Sequence, residues 1–86
     1  MASHGHIGEF NNQVEDWRSY TERLQNYFLA NDIKAEAKQR AILLSVCGPR
    51  TYKLIRSLLS LQEPKDVTLA DIIKQMTDHY QPKLSV

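Results

Sequence analysis

Large apolar residues recur along this chain at intervals of three and four rather than two, beginning just after Asp16. Trp17, Tyr20, Leu24, Tyr27 and Phe28 fall along one side of a 3.6-residue period, and Arg18, Glu22, Arg23 and Gln25 fill in the rest. The pattern predicts a first helix over 16–30, with Asn31 and Asp32 as its polar end and turn. A second run, IKAEAKQRAILLSVC, puts Ile33, Ala37, Ala41 and Leu44 on one side, with Leu43 and Cys47 widening the apolar face. Asp32 is expected to cap its first turn, and Glu36 suits the positive end of the helix. Gly48 then supplies a stop, and Pro49 is available as the first residue of a third helix.

The third helix is expected to carry Tyr52, Leu54, Ile55, Leu58, Leu59 and Leu61, a stripe broad enough for burial on more than one side. After the loop QEPKDV, Thr68 and Asp71 stand three apart before an apolar run, a capping-box variant with Asp in place of Glu. Leu69, Ile72, Ile73, Met76 and Tyr80 make the buried face of a fourth helix, limited by Pro82 because proline disfavours helical geometry at the residue before it. The fold class predicted is all-α, a compact bundle of about four amphipathic helices.

Length and charge narrow the functions such a bundle can have. Eighty-six residues suit one small domain, which buries only about 60–65% of its unfolded surface. Eleven Lys and Arg against ten Asp and Glu leave a net charge of +1 with the signs interspersed, which argues against a polyphosphate partner. Cys47 has no second cysteine to pair with, the usage of a reducing compartment. No run approaches the roughly 18 apolar residues of a membrane span. A soluble, cytoplasmic chain is expected. Residues 1–13 are expected to be a flexible N-terminus, and the opening MASHGHIGEF is compatible with a cloning tag. His4 and His6, with no further donor nearby, make a poor metal site.

Candidate chemistry is sparse. Cys47 falls at the C-terminal end of a helix, where the dipole disfavours a thiolate, so core packing is the expectation. His79 has Asp78 beside it, but no hydroxyl or thiol is placed to complete a triad. No catalytic, metal or cofactor residue is expected, and no enzyme. Arg50, Lys53 and Arg56 recur every three residues, forming either a basic contact face for an acidic or phosphate partner or a plain solvated face. Trp17, Tyr20, Tyr27 and Phe28 read first as core; together with Tyr52 and Tyr80 they are also candidates for protein contact or for lining a groove. A base-stacking platform is weakened by the lack of a basic flank around them.

The succession DW, YTERLQNYFLAN, RAILLSVCGPRTYKLIRSLL and LADIIKQMTDHYQPK resembles the amino-terminal lobe of the capsid region in Gypsy-type long-terminal-repeat retrotransposon Gag polyproteins, or in cellular genes domesticated from them. The elements that carry the likeness are Trp17, YFLAN at 27–31, LLS at 43–45, Gly48 with Tyr52, and His79, Tyr80, Pro82 and Lys83, together spanning about residues 14–83. Leu84 departs from the pattern, where another proline is expected, and residues 84–86 read as a boundary.

The resemblance implies a shell-forming protein whose capsid region has two helical lobes, of which this chain holds the first. Its partners would be other capsid-like subunits within the full-length protein, located in capsid-like particles. Dimerisation through the second lobe and RNA binding through a CCHC knuckle do not carry over to this segment. In domesticated relatives of the neuronal Arc type the first lobe resembles a peptide-binding module, which makes an adaptor holding an extended peptide the alternative.

Overall fold

Asp16 opens the first helix by accepting the amide hydrogen of Ser19 at 2.7 Å. That bond also holds its carboxyl below the usual carboxylate range. The structure, a computed structural model, describes residues 7–80. Its helices are α1 (Trp17–Ala30), α2 (Glu36–Val46), α3 (Pro49–Leu59) and α4 (Leu69–Tyr80), with a 3-10 turn at Pro64–Asp66 before α4. The described residues contain no strand, and the architecture is the all-α bundle expected. His4, His6, Pro82, Lys83, Leu84 and the boundary at 84–86 lie outside the described residues.

The end of α1 corrects one expectation. Asp32, with φ +57°, donates its amide hydrogen to Leu29 O at 3.2 Å, and Ile33 donates to Phe28 O at 2.9 Å. This is a Schellman termination with Asp at the left-handed position, a conformation its short polar side chain tolerates. Asp32 therefore closes α1 and does not cap α2, which starts at Glu36 behind Ala35 with no side-chain cap.

The buried face of α2 is also turned from the one expected. Leu43 and Cys47 are fully buried, whereas Ala37 and Ala41 are exposed and Ile33 and Leu44 only half-buried. At 100° per residue, positions 36, 40, 43 and 47 share a side about a third of a turn from the alanines. Burying a leucine and a thiol removes more apolar area from water than burying two alanine methyls, so the helix orients by the larger groups.

At the next corner Gly48 has φ +94°, and a Cβ there would meet Glu9 Cβ at 2.8 Å. Pro49 follows as the first residue of α3. Thr51, Ile55 and Leu59 are buried at intervals of four, with Tyr52, Leu54 and Leu58 half-buried beside them. Leu61 is fully exposed, a correction to the predicted stripe. The helix has ended at Leu59, and Ser60, at φ +57°, turns the chain away from the core. α4 lies against α1, α2 and α3, burying Leu69, Ile72 and Met76.

Residues 7–13, expected to belong to a flexible terminus, are instead built into the bundle as far as Phe10. Ile7 and Phe10 are 7% and 4% exposed. The Phe10 amide donates to Cys47 O at 3.1 Å, and the Tyr20 hydroxyl donates to Gly8 O at 2.9 Å. The N-terminal arm thus runs across the α2–α3 corner, closing the core on that side.

Candidate protein-contact surfaces

Helix α3, PRTYKLIRSLL, contains three cations and no carboxylate. Its core residues Thr51, Ile55 and Leu59 hold one side against the bundle, which leaves Arg50, Lys53 and Arg56 exposed on the opposite side. Five cations elsewhere find partners, Arg18 with Glu22, Arg23 with Glu15 at 2.6 Å, Lys34 with Asp32, Arg40 with Glu36, and Lys74 with Asp78, while Lys38 and Lys65 stand singly on other elements. Among the described residues, Arg50, Lys53 and Arg56 pair with no carboxylate. The basic face proposed from spacing is thus a single exposed stripe with unneutralised charge.

The six candidate aromatics divide. Trp17, Tyr20 and Phe28 are core, at most 3% exposed, and offer a partner no surface while the arm is in place. Tyr27, Tyr52 and Tyr80 are half-buried. Phe10, which no periodicity marks, joins the rings together. Its centroid lies 5.1 Å from Trp17 in a T-shaped contact, 5.3 Å from Tyr20 and 5.6 Å from Tyr80. Trp17 and Tyr20 stack at 5.8 Å, and the Arg23 guanidinium sits 5.5 Å above the Tyr20 ring. Burial pushes the Tyr20 hydroxyl up to about 12, so it is a neutral donor to Gly8 O. The buried indole Nε1 of Trp17 has no hydrogen-bond partner among the described residues.

Beside the arm lies a cavity of about 440 Å³, bordered by Phe10, Asn12, Arg50, Thr51, Leu54 and Tyr80. It joins the arm to the N-terminal end of the basic stripe. Thr51, 4% exposed, directs its hydroxyl to Phe10 O at 3.5 Å, at the limit of a hydrogen bond.

Among the described residues, Cys47 and His79, the two side chains singled out for chemistry, lie in different surroundings. Cys47 is fully buried, its Sγ near Gly48 O at 3.6 Å and Leu44 O at 3.9 Å, and burial pushes the thiol up to about 11. His79 is exposed, and its ring contacts Tyr80 at 4.8 Å. The described residues hold no cluster of three or more His, Cys, Asp or Glu side chains arranged for a metal, and none of their helices is long and apolar enough to cross a membrane.

Fold and surface together define a small all-α bundle with one basic helical face and an arm-filled aromatic cleft. Comparison with protein-family models, with curated proteins and with solved structures finds no match to this chain.

Proposed function

We propose that this chain is a Gag-like capsid lobe whose work is protein–protein contact in a capsid-like assembly. The observation that carries the reading is the unneutralised stripe of Arg50, Lys53 and Arg56 on a helix without carboxylates. A near-neutral chain that concentrates positive charge on one rigid face is suited to lateral contact with carboxylates of a neighbouring copy. The likeness of the residue order to Gag capsid lobes supplies the kind of assembly. Individually weak contacts of this sort become effective when many are summed.

The test is charge reversal in the parent protein, with the second lobe that the resemblance implies. Arg50→Glu, Lys53→Glu and Arg56→Glu together should abolish particles seen by electron microscopy while leaving the melting temperature of the lobe nearly unchanged. Particles that form normally with all three reversed would remove the stripe from the contact. The adaptor reading is favoured by one observation, the extended arm lying against Trp17, Tyr20 and Tyr80. It expects the isolated lobe to bind an extended peptide in that cleft, irrespective of assembly.

A further inference from the structure

We propose that residues 7–10 form an exchangeable arm, and that the cleft it fills is a docking site for the same segment of a second copy of this chain. The arm belongs to no helix or strand. It is held by the buried side chains of Ile7 and Phe10, by the bonds Phe10 N to Cys47 O and Tyr20 hydroxyl to Gly8 O, and by the long contact from Thr51. Lifting it away uncovers the Trp17 and Tyr20 rings, so the cleft requires an occupant with a large apolar side chain at the Phe10 position.

The hinge is built to open at low cost. Asn11 O accepts the amides of Val14 and Glu15, Asn11 Oδ1 accepts that of Gln13, and residues 11–14 are all exposed. These bonds lie within the turn and bury no side chain, so the turn can straighten without disturbing the core. The sequence fitted to the cleft is IGEF, and a second copy presents that same sequence. Exchange remakes every contact between arm and bundle, leaving hinge geometry and the entropy of association as the difference between closed and exchanged forms. A short hinge holds its own arm at an effective concentration on the order of millimolar, so the closed monomer dominates at micromolar concentration. The proposal stands independently of the capsid reading.

The test shortens the hinge. Deleting Asn12 and Gln13 removes about 7 Å of reach, so the arm can no longer fill its own cleft. Sedimentation of the 84-residue product (86 less the two deleted) should show monomer giving way to dimer with rising concentration, and added Phe10→Ala should abolish the dimer. In a mixture of isotope-labelled and unlabelled copies, nuclear Overhauser contacts between Phe10 and Trp17 should be intermolecular; the unshortened chain should show them at millimolar concentration. A folded monomer at all concentrations overturns the proposal. So does failure to fold at every concentration, since exchange restores all the contacts, and so does a dimer lacking intermolecular Phe10–Trp17 contacts. A synthetic IGEF-containing peptide that fills the shortened chain's cleft at micromolar concentration, with copies of the chain still unable to dimerise at millimolar, would make a free segment the occupant and overturn it too.

Discussion

Glu36 Oε2 accepts the backbone amide hydrogen of Leu69 at 2.6 Å, across 33 residues of sequence. Leu69 is the first residue of α4, so a carboxylate from the start of α2 answers one of the four amides that every helix leaves unbonded at its N-terminus. Arg40 locks the arrangement, its Nη1 lying 3.4 Å from Glu36 Oε1 and donating to Val67 O at 3.1 Å. Thr68 Oγ1 takes the Asp71 amide at 3.2 Å. The N-terminus of α4 is therefore capped from its own chain and from across the bundle.

Removing that carboxylate should destabilise the fold. We expect Glu36→Ala to cost about 1–2 kcal/mol, the range for a charge-assisted cap that is partly exposed. Glu36→Gln, which retains a carbonyl oxygen, should cost less. In a chain of this size each kcal/mol lowers the melting temperature by about 4–8 °C. Thermal unfolding followed by circular dichroism reads the effect, and the double variant with Arg40→Ala should lose less than the two single losses added together. A Glu36→Ala melt identical to the parent's would mean the cap contributes nothing.

This contact also marks the boundary of what the sequence makes legible. Glu36 is a sound first-turn acid for its own helix by local rules, and nothing in the spacing shows that its oxygen serves another. Local signals read well: Gly48 and Pro49 at the corner and Thr68 before α4 act within four residues of themselves, whereas Asp16, counted as the first residue of α1, is its cap. The aromatic face of α1 was legible because period 3.6 repeats along it. Phe10 was not, because a single ring in an extended arm has no period, and its partners Cys47 O and Tyr80 lie far along the chain. Asp32 misled for a different reason, since the same side chain suits a helix start and a left-handed helix end. Among the contact candidates, the basic stripe followed from spacing alone; its lack of carboxylate partners required the fold.

Gly48 is predicted to resist substitution. At φ +94° any L side chain is strained, and the added Cβ meets Glu9 Cβ at 2.8 Å. Gly48→Ala should cost roughly 1–3 kcal/mol from backbone strain, with further loss as the arm is pushed off. A lowered urea midpoint, with faster hydrogen exchange at the Phe10 amide, is the expected result. An unchanged midpoint would mean that the corner relaxes freely.

Truncating Trp17 should be among the most damaging single changes. The side chain is 3% exposed and touches both Phe10 and Tyr20, so Trp17→Ala should cost about 3–5 kcal/mol, against a few tenths for Lys38→Ala. Trp17→Phe should cost less than Trp17→Ala, because it keeps a ring in place and removes a buried N–H that has no partner among the described residues. Equal melting temperatures for the parent and Trp17→Ala would place the indole outside the core.

Alkaline pH should unfold the protein through its buried acids. Burial pushes the Cys47 thiol from 9.0 up to about 11 and the Tyr20 hydroxyl from 10.0 up to about 12. Both groups are held neutral in the folded state, so above pH 9 the unfolded chain loses protons first. Stability is then fully present below that pH and falls as it rises through 9 to 12. Urea midpoints at pH 7, 9 and 10.5 should decline in that order, and Cys47→Ala should remove the earlier part of the decline. The thiol should also react slowly with a thiol reagent at pH 8 until the chain unfolds. Rapid labelling of folded protein would contradict the buried position.

The basic stripe raises nucleic acid as a competing partner, and salt dependence decides it. Arg50, Lys53 and Arg56 are the only cations of α3, and the whole chain carries a net charge of +1. Neutralising three phosphates of a single strand gives a salt slope of about −2 in log–log form, too shallow for tight binding at physiological salt. Trp17 and Tyr20 are buried beneath the arm, and the rings nearest the stripe, Tyr52 and Tyr80, are half-buried, which limits the stacking energy they can add. We therefore expect fluorescence anisotropy with a labelled single-stranded RNA to show negligible binding at about 150 mM salt and weak binding only when salt is lowered severalfold. The triple reversal Arg50→Glu, Lys53→Glu, Arg56→Glu should remove even that. Tight binding that survives physiological salt, with a slope much steeper than about −2, would require a larger basic surface than this face provides and would count against protein contact as its role.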